Sequence, residues 1–249
     1  MRFILVGDTH RSETCDRIRQ IKQTYPDEGL AIIILGDSGI NYYLDYRDED
    51  HKRELQKLNV LIYCVRGNHE QRPELVPNMA QFPDPVVGGP VYAEPQFPEI
   101  RYFIDGEMYN IHDKSILVLG GAYSVDKNYR LATGKNWFEQ EQLSIDERNQ
   151  ISARWSGQYF DFILSHTCPY SMRPIDLFLS GIDQSTVDSS MEVWLEEMCY
   201  NFKYHTWVWG HYHDDRIQEP NHYMLFHRFF DIEDIYNNTT DLKVIHGGD

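Results

Sequence analysis

The sequence predicts an α/β fold in which two β-sheets pack face to face with helices on the outside. Three observations lead there. Apolar runs at residues 3–6, 30–35 and 60–65 alternate with helix-like stretches, the βαβαβ order that implies parallel pairing and right-handed crossovers. Later runs at 160–165, 207–209 and 223–229 read as a second set of strands. Nothing resembles a linker or an internal repeat, so residues 1–249 are expected to form one domain that buries both sets of strands.

Each element has its own justification. After the first strand, Cys15, Ile18, Ile21 and Tyr25 fall at helical spacing, and Pro26 ends the pattern. Residues 48–58 read as a mostly polar helix before the third strand. Seven of the eleven prolines lie between Pro73 and Pro98, so residues 71–100 are expected to lack regular structure. That segment leaves directly from Asn68-His69 and serves either as a surface loop or as a wall of an active-site cleft. Residues 101–104, 108–111 and 115–119, separated by Asp105-Gly106 and Asp113-Lys114, predict an antiparallel meander. Residues 139–154 and 186–204 read as helices. In the second, Val187, Met191, Trp194, Leu195, Met198 and Phe202 make one apolar stripe, which is assigned to the core.

Composition narrows the function classes. A net charge of −16 argues against a broad nucleic-acid surface or an anionic membrane partner. A small anionic substrate is still allowed, because bound metal ions can dominate the local field. The four cysteines (Cys15, Cys64, Cys168, Cys199) form no C-x-x-C pair and suit free thiols in a reducing compartment. The apolar stretch at residues 1–6 is too short for a signal peptide, and no run approaches the ~18 apolar residues of a transmembrane helix. A soluble, cytoplasmic protein is the expectation.

The chemistry lies just beyond five of the apolar runs. They are followed by Asp8-Thr9-His10, Gly36-Asp37, Gly67-Asn68-His69-Glu70, His166, and Gly210-His211-Tyr212-His213. Ligands of open α/β sheets bind at the carboxyl ends of strands, so these groups are expected to converge. Carboxylate oxygen, amide oxygen and imidazole nitrogen together suit a hard or borderline divalent ion. A carboxylate such as Asp37 can bridge two ions ~3.5–4 Å apart. The other histidines (His51, His112, His205, His222, His227, His246) lack such context and read as surface or satisfied core groups.

The order D-x-H, G-D, G-N-H-[DE], H, G-H-x-H resembles the calcineurin-like metallophosphoesterase superfamily, over a span from Asp8 to His213. The resemblance implies a four-layer αββα sandwich of two mixed β-sheets flanked by helices. It implies one metal held by Asp8, His10, Asp37 and His213, and a second by Asp37, Asn68, His166 and His211. His69 would stand outside the metal shell as general acid toward the leaving group. Arg66, in Arg66-Gly67-Asn68-His69-Glu70, is similar to the phosphate-binding arginine of the serine/threonine phosphatase branch. It is either a catalytic phosphate clamp or an arginine paired with Glu70 for structure. That branch has G-D-x-x-D-R-G, whereas this chain reads Gly36-Asp37-Ser38-Gly39-Ile40-Asn41, without the carboxylate that orients the histidine and without the second arginine. Asn41 or Asp45 are the nearby groups that would replace the carboxylate. Arg11 and Arg130 are further candidates for substrate phosphate.

The implied activity is metal-dependent phosphoester hydrolysis, with hydroxide held between two divalent ions attacking phosphorus. Manganese is the expected metal, with iron or zinc also suited to such ligands. A phosphomonoesterase of protein-phosphatase type is the preferred form, and a phosphodiesterase or nucleotide pyrophosphatase the alternative. A non-catalytic protein-binding scaffold on the same fold is the rival of another class, and the retention of every ligand and of His69 argues against it. The expected partners are a phosphorylated small molecule, nucleotide or phosphoprotein, with no membrane and no extended nucleic acid.

Overall fold

The structure is a computed structural model and describes residues 1–26, 28–218, 220–237 and 243–244. The first part of the chain runs β1 (Arg2–Val6), α1 (Thr14–Thr24), β2 (Leu30–Ile34), α2 (Tyr46–Gln56) and β3 (Leu61–Cys64). A hairpin of β4 (Ala80–Asp84) and β5 (Gly89–Ala93) follows, then β6 (Ile100–Phe103), β7 (Met108–Ile111) and β8 (Lys114–Leu119). Next come α3 (Lys127–Thr133), α4 (Ile145–Trp155), β9 (Tyr159–Ser165), α5 (Ser190–Asn201) and β10 (Lys203–Trp209). The chain continues through β11 (Arg216–Gln218), β12 (His222–Met224), β13 (Arg228–Asp231), α6 (Ile232–Tyr236) and a two-residue strand β14 (Lys243–Val244).

These strands form two mixed sheets. One has the order β14-β13-β1-β2-β3-β6-β5-β4 and the other β11-β12-β10-β9-β8-β7. The centre of the first is parallel (β1, β2, β3, β6), as is that of the second (β8, β9, β10, β12). Side chains alternate across each strand. Phe3 and Leu5 point into a core shared with Val118, Phe162 and Val208 of the other sheet, while Ile4 and Val6 meet Ile18 and Ile21 of α1 on the outer face. A third cluster packs Leu117, Ile163 and Trp207 against Ile151 of α4 and Met191, Leu195 and Met198 of α5. Helix, sheet, sheet, helix is therefore the layer order, an αββα sandwich. All five residues of β2 are buried, as expected for a strand covered on both faces. Each of its leucine and isoleucine side chains contributes about 1.5–3 kcal/mol through burial.

Several local expectations need correction. β6 does not form a meander with β7; it pairs in parallel with β3, and Asp105-Gly106 carries the chain from one sheet to the other. A turn signal reports reversal and cannot say which sheet the next strand joins. The single strand expected at 223–229 is two strands in different sheets. The Asp215 carboxylate accepts the N–H groups of Phe226, His227 and Arg228, holding Phe226 and His227 in a bend between the two strands. Residues 71–100 hold the β4–β5 hairpin despite their prolines. Pro83 lies on the edge strand opposite Pro90, which precedes the residues of β5 that pair with β6, so neither ring removes a ladder bond.

α4 and α5 begin later than the stretches expected for them. Ser144 and Glu147 form a reciprocal capping box that starts α4. The helix expected over 186–204 is α5, and β10 takes over from Lys203. α3, closed by Gly134 in a left-handed conformation, was not expected at all. The four cysteines are free thiols. Among the described residues no helix is long and apolar enough to cross a membrane.

Candidate metal centre

The carboxyl ends of β1, β2, β3, β9 and β10 bring the expected ligands together. The loops beyond them bend sharply: His10, Asp37, His211 and His213 have φ of 39°, 44°, 69° and 55°. Left-handed backbone at non-glycine residues costs of order 1–3 kcal/mol each and persists only where neighbours enforce it. Here the enforcement is mutual. The N–H groups of Thr9 and His10 donate to the Asp37 carbonyl, that of His69 to Asp37 Oδ1, and that of His211 to Asp8 Oδ1. Glycines allow this proximity. A Cβ on Gly67 would lie 2.1 Å from Asp37 Oδ1, and one on Gly210 would lie 2.3 Å from Asp8 Oδ1.

Two groups of ligand atoms result, Asp8-His10-His213 and Asp8-Asp37-His166. In the first, Asp8 Oδ2 is 3.3 Å from His213 Nε2 and 3.8 Å from His10 Nε2, and those two nitrogens are 2.7 Å apart. In the second, His166 Nε2 is 3.7 Å from Asp37 Oδ1 and 2.8 Å from Asn68 Oδ1. Asp8 belongs to both groups. His211 belongs to neither, although its ring centroid is 4.9 Å from that of His166. None of the histidines set aside above belongs to either group among the described residues, and His246 lies outside them.

The residues fit divalent cations on three counts. Asp8 Oδ2 is fully buried without a hydrogen-bond partner, a costly state for a carboxylate oxygen unless a cation satisfies it. The His166 Nδ1–H donates to the Leu35 carbonyl at 2.8 Å, leaving Nε2 with a lone pair that faces the Asn68 carbonyl oxygen and is free for an ion. Two acceptors so placed need a proton or a cation between them. Finally, burial and His166 hold the His211 pKa down at about 3, so that imidazole offers a free lone pair. Burial pushes the Asp8 and Asp37 pKa values up, but the surrounding imidazoles outweigh it and both stay below the ordinary range.

Supporting residues escaped the sequence reading. The Asn68 amide donates to Ser124 Oγ at 2.8 Å, and Ser124 Oγ donates in turn to Glu141. Glu141 also accepts the Ser124 N–H and the Trp137 indole N–H. This relay settles which end of the amide faces His166. Glu70 receives the Gly67 N–H and the Ser38 hydroxyl, which ties the second and third ligand loops together. Burial and Asp37 lift its pKa to about 7. Outer-shell partners of this kind typically contribute 10–100-fold to metal affinity. Ser124→Ala is expected to weaken metal binding by about that factor in a calorimetric titration; an unchanged affinity would remove Asn68 from the ligand set.

The arginine expectations fare differently. Arg66 is not a phosphate clamp. Its guanidinium is buried, donating to Asp105, to the carbonyls of Gln140 and Glu141 and to that of Gly120. It locks β3 to the loop before α4. The alternative pairing with Glu70 is also absent, because Glu70 is engaged by Ser38 and Gly67. Arg130, from α3, donates to His69 Nε2 at 3.1 Å and is itself held by Asp126, Tyr42 and the Asn136 carbonyl. Arg11 lies at the rim, bonded to Asp48 and the Arg47 carbonyl. Neither Asn41 nor Asp45 takes the missing orienting place: Asp45 caps α2, and the side-chain atoms of Asn41 are buried without partners. Burial first, with Arg130 adding to it, lowers the His69 pKa against the opposing pull of Asp37.

Two clefts meet at this centre, and Asp37 and His69 line both. One, about 320 Å³, is walled by Leu177, Phe178, Leu179, Ile182 and Val187 and reached by Asn68, His211 and His213. The other, about 530 Å³, is reached by His10 and lined mainly by basic and tyrosine side chains. Residues 71–100 line neither, so that segment is no wall of the site.

A search of curated protein sequences finds no significant match. The family model described as calcineurin-like phosphoesterase matches residues 1–215, a span that takes in every candidate ligand from Asp8 to His213. The match and the convergence of these candidate ligands at five strand ends agree: the chain belongs to the calcineurin-like phosphoesterase family.

Proposed function

We propose that the protein is a dinuclear metal-dependent phosphoesterase whose substrates are phosphodiesters or phosphoanhydrides rather than phosphomonoesters. Asp8, His10, Asp37 and His213 would hold one ion, and Asp37, Asn68, His166 and His211 the other, with Asp37 shared. Manganese suits this oxygen and imidazole set, as do iron and zinc. Bound there, divalent ions supply Lewis acidity toward the phosphoryl oxygens and acidify water. Family membership and the uncompensated lone pairs of the site support this reading over a protein-binding scaffold.

The observation that carries the substrate preference is the junction of two clefts at Asp37 and His69. A monoester has one substituent on phosphorus and needs one cleft. A diester or anhydride has two and can use both. The monoester preference rested on Arg66, which the structure commits to Asp105 and backbone carbonyls. His69 is the candidate proton donor to the departing oxygen; Arg130 donates to its Nε2 in this structure, so that nitrogen would carry the proton only once the Arg130 guanidinium turns to the phosphoryl group. The four free thiols support a reducing, cytoplasmic setting.

The test is a substrate panel with the metal-reconstituted protein. Bis-aryl phosphates and nucleoside diphosphates are expected to be cleaved with a kcat/KM at least about tenfold above that of aryl monophosphates or phosphopeptides, a difference of ~1.4 kcal/mol in the barrier. The opposite order would restore the monoesterase reading, and no turnover of any substrate would favour the scaffold. Within the panel, His69→Asn is expected to slow esters with poor leaving groups by ~10²–10⁴-fold and activated aryl esters less. An equal loss across leaving groups would count against proton donation.

A further inference from the structure

The larger cleft presents four cations, Arg11, Arg47, Arg130 and Lys135, with Tyr42 and Tyr43 between them; its one acidic lining residue is the ligand Asp37. This runs against a chain with 39 acidic and 23 basic residues. The guanidiniums are arranged rather than scattered. Arg47 stacks on the Tyr43 ring at 3.8 Å and Arg11 lies 5.4 Å from the same centroid, and Arg11 donates to the Arg47 carbonyl. Their carboxylate partners Asp45 and Asp48 are not among the residues lining this cleft, and Asp126, which pairs with Arg130, lines the adjoining one. Lys135 rests on the Tyr129 ring and makes no ion pair among the described residues. The opposite cleft offers mainly aliphatic and aromatic groups to the second substituent.

From this juxtaposition we infer that the basic cleft is a subsite for further phosphates of the substrate, so that a short polyphosphate chain lies along Arg130, Arg11, Arg47 and Lys135 while the scissile group sits at the metal centre. The inference rests on the phosphoesterase reading and extends it to a substrate class. Guanidinium forks match phosphate oxygens bidentately, and a mobile ammonium adds a point charge. The cleft is continuous with the centre through His10, Asp37 and His69, and its 530 Å³ exceeds what a single phosphate fills. Beyond it, a net charge of −16 opposes an extended polyanion, which favours a short chain over a nucleic-acid strand.

The test separates binding from turnover. The full-length, metal-free protein is titrated calorimetrically with inorganic phosphate, inorganic tripolyphosphate and hexathymidylate. Tripolyphosphate is expected to bind at least about tenfold more tightly than phosphate, and Arg47→Ala/Lys135→Ala to remove most of that advantage. Thermal melts check that the double variant folds; both side chains are exposed, so it should. Equal affinities for phosphate and tripolyphosphate, an unaffected double variant, or tighter binding of hexathymidylate would each overturn the subsite. Turnover of bis-aryl phosphate by the metal-loaded enzyme is scored separately, so an active enzyme that fails these titrations overturns the subsite alone.

Discussion

Asp37→Asn is expected to abolish phosphoester hydrolysis and to lower bound metal while leaving the fold intact. The substitution keeps the shape of the side chain and its Oδ1, so the 2.8 Å hydrogen bond from the His69 N–H can persist. It removes one unit of negative charge from a fully buried position surrounded by His10, His69 and His166, the imidazoles that hold the Asp37 carboxyl ionised against its burial. A neutral amide cannot offset the charge of two divalent ions, and its nitrogen is a donor facing a site that needs acceptors. Loss of a ligand charge worth several kcal/mol corresponds to at least about 10³-fold in rate. Elemental analysis and steady-state assays on the purified variant test this. A full metal complement with near-normal turnover would mean that Asp8, which belongs to both ligand groups, carries the shared role alone.

The convergence of the candidate ligands was legible in the sequence because each lies within a few residues of the strand that carries it. Residues 3–6 place Asp8, 30–35 place Asp37, and the link is local covalent geometry. Parallel order in the first 65 residues followed from the same proximity. Whatever depends on distant neighbours was not legible. Arg66 carries a motif that elsewhere binds phosphate, but its partners Asp105, Gly120 and Glu141 lie 39 to 75 positions further along, and no pattern near Arg66 announces them. Asp215 splits the strand at 223–229 from eleven to thirteen residues away, through side-chain bonds to backbone. α3 buries no residue and so lacks the apolar period that reveals a helix, yet it delivers Arg130 to His69. The basic cleft joins residues near 11, 42–47 and 130–136, which only the folded chain assembles.

Gly36→Ala is the second substitution expected to have a large effect, and it tests whether close backbone packing builds the centre. Gly36 has φ of 98°, a conformation that L side chains rarely adopt, and a Cβ there would lie 2.0 Å from Nδ1 of His166. Backbone strain of about 1–3 kcal/mol and overpacking of about 1–3 kcal/mol combine to a destabilisation of about 2–6 kcal/mol. The clash also drives His166 away from the Leu35 carbonyl that sets its tautomer, so metal affinity falls with stability. Two other glycines separate these causes. Gly134 also has a left-handed φ, 69°, but open space around its Cβ position, whereas Gly29 has open space and no such φ. In thermal melts, Gly29→Ala is expected to be near neutral and Gly134→Ala to show the strain alone. Only Gly36→Ala should add the overpacking penalty and lose metal. If Gly36→Ala and Gly134→Ala lost equal stability and both kept full metal affinity, the contact with His166 would have no part in holding the ligand, and the position of His166 would be set by β9 alone.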